Sequence, residues 1–407
     1  MRITMVVPSY PKLSETFLVN KFLGLTDSGH FVTVVCQQRD RPAWKSFKAL
    51  EARPDLFSRV IETWSDNSAV QASAKLASHL WSIDRKSRKS LLHTAIQERG
   101  NLRSAFSELP MGAAIMATRP DIVHFEFGAI AIPYLHLRRI LNAKFVASFR
   151  GYDLNYVGLE QPDYYSRLFS TMDAIHTLGK DLWNRAIRRG CPQSLPHVLI
   201  APAIDTEFFR AERPREGGIA GTADRPLRIV SIGRLEWKKG YEFSLAAIRA
   251  LVDRGLHVQY RIVGAGNYQG PLAFCRHQLN LDNVVEFTGP GGQEAVRQEM
   301  QAADLLLHPA VSEGFCNAVI EAQSMELPVV CTDADGLAEN VAHGESGFVV
   351  PRRDSIALAD RMEQLARDPD LRVRLGTNGR NRAVRHFRLT DQISAFEAFY
   401  HELVHRN

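Results

Sequence analysis

The chain has 407 residues, 45% of them hydrophobic and 23% charged, with a net charge of +5. That length suggests two domains with full-sized cores, and the composition is that of a soluble globular protein. There is no run of about 18 apolar residues, so no membrane span is expected. The five cysteines (Cys36, Cys191, Cys275, Cys316, Cys331) are scattered, with no C-x-x-C, which fits reduced thiols in a cytoplasmic protein better than a disulfide framework.

In chain order, "MRITMVVPSYP" is broken by prolines too early for a signal peptide and reads as a first buried strand. Short Val- and Ile-rich runs then recur between helix-length segments. In the first half they are Ile3–Val7, Val32–Cys36, Asp121–Phe125, Phe145–Ser148 and Ala174–Thr177. In the second half they are Arg228–Ile232, Val258–Val263, Val284–Phe287, Leu305–His308, Val329–Thr332 and Phe348–Val350. Strands apolar on both faces, alternating with helices, predict α/β domains with parallel sheets. Two Rossmann-like domains are expected, at 1–205 and 226–385, joined by a Gly-, Pro- and charge-rich linker at 206–225. Residues 40–115 form a mostly helical insert. The last helix, about 386–407, carries Ile393, Phe396, Phe399, Tyr400 and Leu403 at helical spacing and is expected to pack back on the first domain.

The charge is uneven. From Arg39 to Arg103 there are 13 Lys/Arg against 7 Asp/Glu, densest in "WSIDRKSRKSLLH". Such a run is either a solvated helix face or a patch for anionic lipid, with Trp44, Phe47 and Trp81 as interfacial anchors. No nucleic-acid motif accompanies it.

Four short stretches carry candidate chemistry. In "IVSIGRLEWKKGYEF", a strand ends at Gly233, and Arg234 and Lys239 precede a helix. Cations at the carboxyl edge of a parallel sheet suit a diphosphate. "RIVGAGNYQG" has Gly264 and Gly266 but Gln269 where a dinucleotide fingerprint needs glycine; the pair marks either a close backbone approach near a ligand or a tight turn. "TDADGLAE" holds Asp333 and Asp335 in a D-x-D that could bind a metal. A turn whose backbone amides face a ligand, through Asp335 and Gly336, is the reading preferred here, with no metal and no cofactor. In "VSEGFCNAVIEAQSMELPVV", Glu313 falls in a loop and Glu321 one turn into a helix, on the same face as Asn317. The amides from Gly314 to Asn317 form an anion-binding helix start. Glu321 lies among Ala318, Val319, Ile320 and Ala322, a costly place for a carboxylate without a partner.

Together, "GRLEWKKG", "EGFCNAVIEAQSMELPVV" and "DGLAENVAHGESGFVV" resemble the family 4 retaining glycosyltransferases, over nearly all of 226–385. "PSYPKLSETFLVN" is similar to the opening of the exopolysaccharide, capsule and colanic-acid subgroup. The resemblance implies a GT-B fold, two Rossmann-like domains facing across a cleft. It implies that Arg234 and Lys239 hold the diphosphate of a UDP- or GDP-sugar, that Glu313, Gly314 and Phe315 meet the sugar and its phosphate, and that Glu321 takes the ribose hydroxyls. Gly233, Gly264, Gly266, Asn317, Asp335 and Gly336 complete the implied donor site. His124, on a strand of the family type, joins Arg234, Lys239 and Glu313 as a catalytic candidate. Ser14, Glu15, Thr16, Glu126, Arg150 and Asp153 are the acceptor or cleft candidates. Arg150 stands where the family has His; in place of an acid or base, an Arg there suits a phosphate of donor or acceptor.

The expected activity is metal-independent, retaining transfer of a hexose to a polyprenyl-diphosphate-linked or other oligosaccharide acceptor in bacterial surface polysaccharide synthesis. The enzyme is expected to be cytoplasmic and peripheral at the inner face of the plasma membrane, held there through residues 40–103. A non-hydrolysing nucleotide-sugar epimerase and a non-catalytic nucleotide-sugar binder are the competing readings.

Overall fold

The computed structural model describes all residues except 14, 64–68, 100–101, 216 and 407. The chain forms two compact units. One comprises 1–200 with 393–407, and the other comprises 201–392.

The first unit is built on a parallel seven-stranded sheet. Its strands are β1 (Arg2–Tyr10), β2 (Phe31–Arg39), β3 (Val60–Glu62), β4 (Ile122–Phe125), β5 (Lys144–Phe149), β6 (Ala174–Thr177) and β7 (His197–Leu199), in the order β3-β2-β1-β4-β5-β6-β7. The second unit has a parallel six-stranded sheet of β8 (Leu227–Ile232), β9 (Val258–Val263), β10 (Val285–Gly289), β11 (Leu305–His308), β12 (Val329–Thr332) and β13 (Gly347–Val350), in the order β10-β9-β8-β11-β12-β13. All eleven apolar runs named from the sequence are strands, because helices cover both faces and every residue of a central strand such as β4, β11 or β12 is buried. The strands absent from the sequence reading are β3 and β7, three residues each at the two edges of one sheet. At three residues each and partly exposed, these two are too short to show an apolar run.

In each sheet the strand order reverses once, between β1 and β4 and between β8 and β11. Loops leaving the carboxyl ends on either side of such a reversal diverge and leave a crevice, the usual ligand position in open α/β sheets. The loops after β8 and β11 contain the GRLEWKKG and SEGF motifs.

The insert holds helices Arg41–Ser46, Lys48–Glu51, Ala69–Ser82, Arg85–Arg99 and Leu102–Ala117, together with β3. Trp44, expected as a surface anchor, is instead buried edge-on against Phe57 at 5.1 Å. Phe47 is half-buried, whereas Trp81 is 82% exposed. From Ile393 onward the last helix, Leu389–His405, belongs to the first unit, where Ile393 lies over Gly24. No described helix is long and apolar enough to cross a membrane.

The segment expected as a linker is packed into the second unit. Phe209 and Ala220 join its cores. Arg215 donates to the carbonyls of Met300, Gln301 and Ala303 (2.7–3.1 Å) and to that of Met325 (2.6 and 3.2 Å). These are carbonyls at two helix ends, left without intrahelical donors and carrying the negative end of the dipole. The composition read as a tether because Gly, Pro and Arg are common there; here the arginine closes helix ends. Arg215→Met is expected to destabilise the second unit by about 2–3 kcal/mol, the range for hydrogen bonds from a charged donor. Chemical denaturation checks this, and an unchanged midpoint would make the segment a detachable tether.

Candidate active site

In the second unit the site grows from the loop after β8. Gly233, at φ +155°, ends the strand and opens the loop. A short 3-10 turn, Trp237–Lys239, then closes on Gly240 at φ +65°. A Cβ on Gly240 would lie 2.3 Å from the Pro309 carbonyl oxygen, so only glycine lets this loop meet the one after β11. The amide of Val311 donates to Lys238 O at 2.9 Å and ties the two loops. Gly264 and Gly266 serve the same kind of approach. A Cβ on Gly264 would lie 1.9 Å from Gly233 O, and one on Gly266 2.2 Å from Leu235 O. These glycines are therefore packed against the Gly233–Leu235 backbone.

Lys239 projects under the loop after β11, where its ammonium pairs with the Glu313 carboxylate. Both are largely buried, with 11% and 16% of their side chains exposed. Burial would raise the Glu313 carboxyl, but Lys239 and His308 pull it down to about 2. Burial opposes the charge on Lys239, and Glu313 raises it overall. His308, the last residue of β11, is 1% exposed. Its Nε2 lies 3.5 Å from Glu313 Oε2, and its Nδ1 lies 3.9 Å from Cys316 Sγ. Burial disfavours its charged form, yet Cys316 and Glu313 raise it to about 9. His308, Glu313 and Cys316 have ligand atoms within 4.8 Å of one another. The Lys239 ammonium already matches that carboxylate, so a divalent ion would have to displace it. Arg234 stands apart, 57% exposed and paired with Glu236 at 2.6 Å.

The helix Asn317–Ser324 starts from Cys316, with Glu321 one turn along. Asn340 fixes that start by donating from Nδ2 to Cys316 O at 3.2 Å. Phe315 is half-buried and edge-on to Phe387. Glu321 is half-buried; burial pushes its carboxyl up to about 7, and no described residue supplies a hydrogen bond or charge that lowers it. The site thus contains a low-titrating carboxylate already paired, and another with no partner. The second offers two acceptors to an arriving diol.

Asp335 and Gly336 differ from expectation. The Asp335 side chain turns onto the loop, where Oδ2 accepts from Ser312 Oγ at 2.7 Å and from the Glu313 amide at 3.2 Å. Its Oδ1 accepts from Arg352 at 3.1 Å. The residue adopts φ +54°, a conformation that these contacts sustain against its steric cost. Gly336 lets this turn approach, since a Cβ there would lie 2.1 Å from Gly314 O. Both residues brace the Glu313–Gly314 backbone, and Arg352 is the brace's anchor.

In the first unit the expected residues gather at the carboxyl ends of β1, β4 and β5, but mostly below the surface. Glu126 is fully buried, with Oε1 accepting from Lys21 at 2.6 Å and Oε2 from Arg150 at 3.1 Å. His124 is fully buried too. Its Nδ1 faces Lys21 Nζ at 3.1 Å and Tyr400 OH at 2.6 Å, and its Nε2 faces Ser148 Oγ at 2.7 Å. The chain continues from Ser148 Oγ to His176 Nδ1 at 2.7 Å and from His176 Nε2 to Ile200 O at 2.9 Å. A carbonyl only accepts, so His176 carries a proton on Nε2. With both histidines neutral, Ser148 then donates to His176 Nδ1, and His124 Nε2 donates to Ser148. Burial first, and then the charge of Lys21, hold both well below their usual range.

Asp153 is 1% exposed and accepts from the amides of Ala129 (3.0 Å) and Arg150 (3.1 Å). His124, Glu126 and Asp153 thus differ from the sequence expectation: each is buried with its polar atoms spent on the protein, and acts by holding its neighbours. Arg150 reaches the surface with 12% of its side chain exposed, stacked 3.9 Å over the Phe17 ring. Glu15 and Thr16 are half-buried at the start of the first helix, and Ser14 lies outside the described residues.

Residues 213–382 match the model of the family "Glycosyl transferases group 1". The chain carries a group 1 glycosyltransferase domain. Over most of its length the chain is similar to WcaL of Escherichia coli (strain K12), assigned by name to colanic acid biosynthesis. The two are 28% identical over 382 residues, 89% of this chain and 90% of that one. It is also similar to the amylovoran biosynthesis glycosyltransferase AmsK of Erwinia amylovora, 26% identical over 377 residues, 88% and 89% of the two chains. Among solved structures, Anabaena Alr3699/HepE in complex with UDP and glucose superposes with a TM-score of 0.71, at 15% identity, over 99% of this chain and 100% of that one. The two parallel-sheet units are those of the GT-B fold.

Sequence reasoning missed three residues of this glycosyltransferase: His308, Arg352 and Lys21. His308 closes an apolar strand and reads there as core. Arg352 is 17 residues from Asp335, and Lys21 is 105 from Glu126, so no local pattern signals either.

The unpartnered Glu321 has a measurable consequence. Its carboxyl titrates near 7 in the folded chain against an ordinary 4.5, so the folded state keeps a proton that the unfolded chain loses. The stability this contributes is complete below about pH 4.5 and is lost as the pH rises through about 7. Glu321→Gln is therefore expected to raise the thermal midpoint at about pH 8 and leave it nearly unchanged at about pH 5. Thermal melts at both pH values check this; equal shifts would mean that the carboxylate has a partner in the folded protein.

Proposed function

We propose that this glycosyltransferase moves a hexose, with retention of anomeric configuration and without a metal ion, from a UDP- or GDP-sugar to a polyprenyl-diphosphate-linked saccharide. The observation that carries the donor assignment is the pairing of a buried Lys239–Glu313 couple with an unpartnered Glu321 along one helix start. Glu321 takes the ribose hydroxyls. Lys239, Arg234 and the amides at the helix start take the diphosphate, while Glu313 and the Gly314–Phe315 backbone meet the sugar. The relatives' names, colanic acid and amylovoran biosynthesis, support a saccharide acceptor in surface polysaccharide synthesis, and the UDP bound to HepE supports a nucleotide donor.

In this mechanism the acceptor hydroxyl attacks the anomeric carbon on the face that the diphosphate leaves. The carbon–oxygen bond to phosphate breaks, and a departing phosphate oxygen takes the hydroxyl proton. The protein's part is electrostatic, since fixed positive groups stabilise the charge that develops on the diphosphate. Lys239→Ala is expected to lower turnover by about 10²–10³-fold, the scale for removing one such group, with circular dichroism unchanged. Steady-state assay with a nucleotide-sugar panel checks this. Run with and without lipid-linked acceptor, the same panel detects an epimerase as donor conversion without acceptor, and a non-catalytic binder as no turnover.

The acceptor's lipid would place the enzyme at the inner face of the plasma membrane. Trp81 is 82% exposed and lies just before the helix Arg85–Arg99, whose start carries Arg85, Lys86, Arg88 and Lys89 with no acidic residue in its first turn. Asp84 caps this helix, accepting from the Lys86 and Ser87 amides at 3.0 Å, while the cations that follow oppose the dipole and add nothing to the helix. This arrangement suits anionic head groups with an aromatic anchor. The wild type is expected to float with vesicles containing anionic lipid, and a Trp81→Ala, Arg85→Ser, Lys86→Ser, Lys89→Ser variant to stay in solution. Equal flotation would remove this surface from the membrane role.

A further inference from the structure

We propose that His308 is a positioning residue that takes over Glu313 when the diphosphate draws Lys239 away. The inference rests on the reading that this site binds a nucleoside diphosphate sugar. In the unliganded site Lys239 is committed to Glu313, which is largely buried. To bind phosphate, the ammonium must turn from that carboxylate. A buried carboxylate left without a partner is costly, so without a substitute the ion pair would compete with the donor for the same lysine.

The substitute is in place. His308 is 1% exposed at the end of β11, and its Nε2 lies 3.5 Å from Glu313 Oε2. That nitrogen has no hydrogen-bond partner in the described structure. It faces an oxygen that only accepts, so it carries a proton. At ion-pair distance but short of a good hydrogen bond, the buried N–H gains from a closer approach. A small turn of Glu313 toward His308 would satisfy both groups as Lys239 leaves. The other side of the ring is fixed by Cys316, with Sγ 3.9 Å from Nδ1. Asp335 and Arg352 hold the Glu313 backbone, so the exchange needs only side-chain movement. His308 thus keeps Glu313 anionic and oriented toward the sugar, and releases Lys239 to the leaving group.

The test is calorimetric titration of the full chain with UDP and with GDP, which lack the sugar and so do not report on Glu313–sugar contacts. His308→Phe is expected to weaken the nucleotide that the wild type binds by about tenfold or more. Adding Glu313→Gln removes the carboxylate that retains Lys239 and is expected to restore that affinity. Glu313→Gln alone is expected to bind no more weakly than wild type, and this arm stands if His308→Phe does not fold. Unchanged affinity in His308→Phe, or a double variant as weak as His308→Phe, overturns the role of His308, the latter by making it structural. Weakened binding in Glu313→Gln overturns it as well. If the wild type binds neither nucleotide, the donor assignment itself falls, and the inference with it.

Discussion

The second unit is organised around one buried ion pair. Lys239 and Glu313 are 74 residues apart in sequence, and they meet because the strand order of the sheet reverses between β8 and β11. Several features exist to allow that meeting. Gly240 admits the Pro309 carbonyl, the Val311 amide ties the loops, and the left-handed Asp335, held by Arg352, supports the Glu313 backbone. Charged groups leave water at a cost that Coulomb attraction repays only with good geometry. The loops are therefore specified closely by steric and hydrogen-bond constraints, and the helix start beside them inherits that order.

The buried array around Glu126 and the donor loops treat polar groups differently. In the first, Arg150, Glu126, Lys21, His124, Ser148 and His176 form a continuous array in which each donor finds an acceptor, ending on the Ile200 carbonyl. A satisfied array of this kind gives rigidity and has no open valence for a ligand. In the second, among the described residues, Glu321 has no donor and His308 Nε2 meets only Glu313, at 3.5 Å. The Tyr241 hydroxyl, beside Gly233, is likewise buried without a partner.

Much of this was legible in the sequence, for a definite reason. Central parallel strands must be apolar on both faces, so their positions appear as uninterrupted Val and Ile runs. The three-residue strands β3 and β7, partly exposed at one sheet's edges, left no such run. The tether-like composition of 206–225 concealed Arg215, whose role depends on helix ends far along the chain. Trp44 was misjudged because an aromatic in a basic segment reads the same whether it packs on Phe57 or meets solvent.

The residues that motif and spacing brought forward near the helix start, Glu313, Asn317 and Glu321, share one local element, and local periodicity is enough to align them. The sequence alone therefore determined the α/β class, the central strands and the chemical character of the donor loops. Only the tertiary structure decided which carboxylates are free. It buried Glu126, His124 and Asp153 among their own partners, turned Asp335 onto the loop, and brought His308 beneath Glu313. Whether a polar group is spent or available depends on neighbours that the fold brings from distant positions, and that information is absent from any single stretch of the chain.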